Sequence, residues 1–146
     1  MPFTDIMRLD KMFASVSRVG IAVHARPDGD ALGSGGALLA YLSRCRGCDV
    51  RLLLPDPAPL PLEFLLPAEG VIDASRSPRQ AGEWIEGCEL LVCLDMNAFK
   101  RAESLSGALE ASRAAKLLID HHLNPDRQAF DLVFSETEIS SASELL

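Results

Sequence analysis

The sequence predicts an α/β domain of three layers, with a mainly parallel β-sheet flanked by helices. Three observations predict it. Short apolar runs alternate with segments of helical periodicity along the chain. The first of these runs, Val19-Gly20-Ile21-Ala22-Val23, reads as a buried strand. Acidic or histidine-bearing segments follow directly on three of the runs, at the edge where open parallel sheets bind ligands. At 146 residues the chain fits one domain and can bury a substantial core.

Residues 3–17 read as an amphipathic helix, with Phe3, Ile6, Met7, Met12, Phe13 and Val16 supplying apolar positions. The strand Val19–Val23 leads into an acidic loop. A helix from Ala31 to about Arg46 follows, turning Leu38, Leu39 and Leu42 inward, with Gly47 placed to stop it. Val50–Leu54 is a second strand. The proline-rich segment 55–61 ends it and reads as a stiff surface loop inside the domain. Val71-Ile72 is a short third strand, and Pro78–Cys88 a helix. Leu90–Leu94 and Lys116–Ile119 are the fourth and fifth strands, with a helix around residues 101–114 between them. Leu132-Val133-Phe134 is a short extra strand. Ser141-Ala142-Ser143-Glu144 has capping-box spacing, so a helix begins there, five residues before the sequence ends.

Composition is that of a globular chain, 48% hydrophobic and 24% charged. A net charge of −7 argues against non-specific adhesion to long nucleic acid, whose phosphates call for a basic surface. A small phosphate-bearing substrate remains compatible, because a bound divalent cation reverses the sign locally. No apolar stretch approaches about 18 residues, so no membrane span is expected. The N-terminus lacks a basic region followed by an apolar one, which makes a cytoplasmic location the default. Cys45, Cys48, Cys88 and Cys93 read as ordinary thiols rather than a zinc or redox set, since the second pair is loosely spaced and Cys93 lies inside a strand.

The chemistry collects at three strand ends: His24-Ala25-Arg26-Pro27-Asp28-Gly29-Asp30, Asp95-Met96-Asn97 and Asp120-His121-His122. Each has an ordinary reading alone. Pro-Asp-Gly is a turn former, Asp95 could cap a turn, and the paired histidines could lie on the surface or satisfied in the core. Together they put all three histidines of the chain beside aspartates at one predicted sheet edge. Carboxylates converging there would repel unless cations were present. The pattern implies two metals roughly 3.5–4 Å apart that share a bridging carboxylate, an arrangement suited to phosphoester hydrolysis by in-line attack. Ser34-Gly35-Gly36 has two readings, as small residues that admit a phosphate to helix N–H groups or as close helix packing on the sheet.

These segments resemble the DHH phosphoesterase superfamily, whose name is the triplet Asp120-His121-His122. The family's first motif, HxxPDGDAxGS, is met from His24 through Ser34. Its second, an aspartate ending an apolar strand, is met by Asp95. Residues 140–145 resemble the SSxxEL stretch of one branch. The resemblance implies metal ligation by His24, Asp28 and Asp95 for one ion and by Asp30, Asp95 and His121 for the other. It makes Mn²⁺ the usual ion, with Mg²⁺ or another divalent cation as substitutes. Asp120 would orient the histidines, His122 would assist catalysis beside the substrate phosphate, and Ser34 would help bind substrate. The attacking group would be a hydroxide bridging the ions.

The branch most resembled is that of bifunctional oligoribonucleases and 3′-phosphoadenosine-5′-phosphate (pAp) phosphatases, so short oligoribonucleotides or pAp are the expected substrates. Related branches cleave linear or cyclic dinucleotides, or are manganese-dependent pyrophosphatases. A nucleotide-binding domain without turnover is the non-enzymatic alternative, and a homodimer stays open. The resemblance also implies a fourth aspartate beyond residue 146, since Asp126 and Asp131 come too soon after His122. Residues 1–146 would then be an N-terminal catalytic domain, incomplete at its end and lacking a C-terminal substrate-binding domain.

Overall fold

The computed structural model describes residues 3–146. Six strands form one sheet in the order β3-β2-β1-β4-β5-β6: β1 (Arg18–Val23), β2 (Asp49–Leu54), β3 (Val71–Asp73), β4 (Leu90–Leu94), β5 (Ala115–Asp120) and β6 (Leu132–Ser135). Every pairing is parallel. The order reverses between β1 and β4, so the crevice outside their carboxyl ends is the topological switch point of the sheet.

Strand alternation divides the core into two layers. Val19, Ile21, Val23, Leu90, Val92 and Leu94 face one cluster, which α2 (Gly29–Cys45) covers with Leu32, Leu38, Leu39 and Leu42. Ala22, Leu53, Leu91 and Cys93 face the other, closed by Trp84 and Ile85 of α3 (Pro78–Glu86) and Leu109 of α4 (Ser106–Ala111). A sheet buried on both faces explains why its strands are apolar throughout rather than alternating. The expected α/β three-layer architecture is the one observed.

Several boundaries differ from expectation for identifiable reasons. The first helix, α1 (Phe3–Ala14), stops three residues early; only Phe13 is fully buried, while Phe3, Ile6 and Met7 remain exposed. The helix expected around 101–114 is broken: a 3₁₀ segment (Phe99–Leu105) precedes α4, and Glu103 at the break has φ +42°. Gly47 does end α2's turn in the left-handed region, at φ +66°. The proline-rich loop runs into a 3₁₀ turn (Leu60–Leu65) that packs on α2. There Gly36 is required by contact, since a Cβ on it would stand 2.6 Å from the Leu65 carbonyl oxygen. The last helix, α5 (Ala142–Leu145), is capped by Ser141, whose Oγ accepts from Glu144 N, and Glu144 Oε2 in turn accepts from Ser140.

No helix among the described residues is long and apolar enough to cross a membrane. All four cysteines are free; Cys45 is exposed and the other three are buried.

Candidate metal centre

Parallel pairing puts Val23 beside Leu94 and Leu94 beside Ile119, so the residues that follow these strands meet at one edge. His24 leaves β1, Asp95 leaves β4, and Asp120 ends β5. Their side chains occupy the switch-point crevice, and all three residues are buried.

Asp95 sits at the middle. It is 1% exposed and adopts φ +57°, a left-handed conformation that costs an aspartate about 1 kcal/mol and that turns the chain sharply out of β4. Asp95 Oδ2 lies 3.4 Å from His24 Nε2, and Asp95 Oδ1 lies 3.2 Å from His121 Nε2 and 3.8 Å from His122 Nδ1. Oδ1 is buried with no hydrogen-bond partner. Burial, reinforced by the nearby Asp30 and Asp28 charges, pushes the Asp95 carboxyl above its ordinary pKa, with the His24 contact opposing.

His24 is oriented from its other nitrogen. Nδ1 donates to the Ala25 carbonyl at 2.7 Å, which leaves Nε2 as the lone-pair nitrogen turned toward Asp95 and toward Asp28 Oδ1 at 3.6 Å. The Asp95 contact raises the His24 pKa against the opposing effect of burial. Asp28 also caps α2, accepting from Ala31 N at 3.0 Å, so the turn reading of Pro-Asp-Gly holds, while the same carboxylate stands within the His24-Asp28-Asp95 group.

Asp120 is fully buried and grips His122 twice: Oδ1 accepts from Nδ1 at 2.7 Å and Oδ2 from the backbone N–H at 3.1 Å. His122 Nε2 is thereby the nitrogen left for outside work. His121 Nε2 stands between Asp95 Oδ1 and Asp30 Oδ2, the latter 3.5 Å away.

Two tight sets of donors result, His24-Asp28-Asp95 and Asp95-His121-His122, with Asp95 common to both. The first is the trio expected for one ion. The second brings in His122 where Asp30 was expected. Asp30 is at the rim, its carboxylate engaged by α5: Oδ2 accepts from Ala142 N at 2.8 Å, and Oδ1 from Ser143 N at 2.9 Å and Ser143 Oγ at 2.6 Å. Burial would raise the Asp30 pKa, but these hydrogen bonds outweigh it and hold the carboxyl below its usual range. Ser34 is not brought into the group. It is 1% exposed and its hydroxyl donates back to the Asp30 carbonyl at 2.7 Å, the helix-packing alternative; Gly35 beside it would place a Cβ 2.8 Å from Leu52 Cδ1.

Donor spacing and donor chemistry both suit a divalent ion. Two ligands bound at about 2.1 Å and at angles of about 90–110° stand about 3.0–3.4 Å apart. The His24–Asp95, His121–Asp95 and His24–Asp28 separations run from 3.2 to 3.6 Å, longer than a good charge-assisted hydrogen bond. Imidazole with carboxylate suits Mn²⁺, Mg²⁺ or Zn²⁺, and an ion would satisfy the orphaned Asp95 Oδ1.

Two supports went unread in the sequence. Asn97 Nδ2 donates to the Leu123 carbonyl and Asn97 O accepts from Asp126 N, which ties the loop after β4 to the loop carrying the histidines. The Asp30–Ser143 contact joins residues more than a hundred apart; the capping-box pattern and the SSxxEL resemblance marked residues 140–145 without naming Asp30 as their partner.

The fold and this edge define a class: a parallel α/β domain with a carboxylate–histidine centre at its switch point. Residues 18–146 match the DHH family, N-terminal domain, and the chain belongs to that family. Its structure is similar to that of an exopolyphosphatase-related protein from Bacteroides fragilis, with a TM-score of 0.93 at 32% sequence identity. The match covers 99% of this chain and 42% of that one.

Proposed function

We propose that this chain is the catalytic domain of a two-metal phosphoesterase acting on short oligoribonucleotides and pAp. The observation that carries the reading is the buried Asp95 carboxylate common to two donor sets, Oδ2 toward His24 and the unpartnered Oδ1 toward His121. Membership of a family of metal-dependent phosphoesterases supports the reaction class. His24, Asp28 and Asp95 would hold one ion. Asp95 and His121, with Asp30 beside them, would hold the other, Mn²⁺ being the expected metal. Bound divalent ions there would neutralise phosphate charge and lower the pKa of coordinated water.

The protein's own residues supply the rest. His24 and His121 present Nε2, the former fixed by the Ala25 carbonyl. Asp120 sets the His122 tautomer with Nδ1 protonated, which leaves Nε2 unprotonated and able to act on a substrate phosphate or leaving oxygen. The Asp28 and Asp30 carboxylates beside the site and the net charge of −7 disfavour long polyanions and favour small nucleotides. The motif from His24 to Ser34 and the Ser140–Leu145 stretch support the oligoribonuclease and pAp phosphatase branch.

A second reading, hydrolysis of a phosphoanhydride chain, is favoured by the 32% identity to the exopolyphosphatase-related protein. The experiment is Mn²⁺-dependent phosphate or mononucleotide release from pAp, a diribonucleotide, pyrophosphate and polyphosphate in parallel. Turnover of pAp or the diribonucleotide supports the first reading. Turnover of polyphosphate or pyrophosphate alone replaces it with the second.

A further inference from the structure

We infer that Ser143 is a positioning residue for the ion on the His121 side, acting through Asp30. The inference rests on the proposed two-metal reading and goes beyond it by giving the segment after β6 a task in the site. Asp30 Oδ1 accepts two hydrogen bonds, from Ser143 N at 2.9 Å and Ser143 Oγ at 2.6 Å. A carboxylate oxygen has two lone-pair directions, so Oδ1 is saturated. Oδ2 accepts one bond, from Ala142 N at 2.8 Å, and keeps a lone pair on the side of His121 Nε2, 3.5 Å away. Three donors from one turn therefore fix both the rotation of the carboxylate and the choice of oxygen that faces the histidine.

The sequence around Ser143 is built for this contact. Ser141 Oγ takes the Glu144 N–H, and Glu144 Oε2 takes Ser140 N and Oγ. Those bonds make the turn rigid without using Ser143, whose hydroxyl is free to serve Asp30. A ligand held from behind in this way binds its ion about 10–100-fold more tightly than one left to rotate.

The test uses His24 and His121 as reporters. Zn²⁺, a diamagnetic ion that the same donors suit, is titrated into the 146-residue protein and the ring nitrogen shifts of His24 and His121 are followed separately by NMR, with thermal unfolding of the metal-free protein as a control. Ser143→Ala removes only the hydroxyl bond and keeps the backbone donors. It should weaken the ion sensed by His121 about 10–100-fold, leave the His24 response within about twofold, and barely move the metal-free melting temperature. Ser143→Thr, which restores a hydroxyl at an exposed position, should recover the loss. If Ser143→Ala leaves the His121 response unchanged while Asp30→Asn weakens it, Ser143 is only an anchor for α5 and the inference is overturned. If Asp30→Asn also leaves it unchanged, the assignment of Asp30 to an ion fails, and the inference falls with it.

Discussion

Asp95→Asn should stabilise the metal-free protein and abolish its response to metal, two effects of opposite sign from one substitution. In the folded state Asp95 is 1% exposed, with one oxygen unpartnered and the Asp28 and Asp30 charges nearby. Its folded-state pKa is raised above the unfolded value. Such a group contributes stability below the unfolded pKa, and that contribution is lost as pH rises through the folded pKa. At pH 9 the ionised carboxylate therefore opposes folding. The asparagine has the same shape and no charge, and its amide can donate to the neutral His24 Nε2, 3.4 Å from the present Oδ2.

Relief of a buried, unsatisfied polar group amounts to about 1–3 kcal/mol. At about 4 °C per kcal/mol for a domain of this size, the melting temperature in chelator at pH 9 should rise by roughly 4–12 °C. At pH 7.5, with Mn²⁺ at a hundred times its dissociation constant, the parent protein should gain about 2.7 kcal/mol per ion. The variant should gain almost nothing. The assay is differential scanning fluorimetry or calorimetry across both conditions. A lower melting temperature in chelator, or an undiminished shift with Mn²⁺, would refute the reasoning.

Other outcomes follow from the same structure. Asp120→Ala strips His122 of both its Nδ1 partner and its backbone N–H partner; hydrolysis should fall by at least tenfold while Mn²⁺ binding at His24 persists, as rate and binding measurements on one preparation would show. Gly36→Ala should destabilise by about 1–3 kcal/mol, because its Cβ would meet a backbone oxygen, whereas Gly107→Ala, with open space in a helix, should be neutral or stabilise by up to about 1 kcal/mol in denaturant titration. Thiol labelling of the native protein at pH 8 should find one fast cysteine, the exposed Cys45, because burial pushes Cys88 and Cys93 up to about 12 and raises Cys48 as well.

The strands were legible because a sheet covered on both faces leaves uninterrupted apolar runs, and each candidate segment follows such a run directly. Once β1, β4 and β5 are parallel neighbours, His24, Asp95 and Asp120 must meet at one edge. That geometry follows from topology without knowledge of any side-chain contact. The break at Glu103 was not legible, since Ala102, Leu105 and Leu109 retain helical spacing and no glycine or proline marks the positive φ at Glu103. The engagement of Asp30 by Ser143 and the inward turn of the Ser34 hydroxyl were hidden as well. Both depend on which hydrogen-bond partner stands nearest in space, and local residue pattern does not carry that. The exposed apolar residues of α1 likewise show that helical spacing marks a face without saying what covers it.

The central claim is that Asp95 is shared by two ions. Anomalous diffraction from a crystal grown with Mn²⁺ tests it most directly. The account predicts two peaks roughly 3.5–4 Å apart, one contacting His24 and Asp28, the other contacting His121, with an Asp95 oxygen on each. A single peak, or two peaks that leave the Asp95 carboxylate uncoordinated, would contradict it.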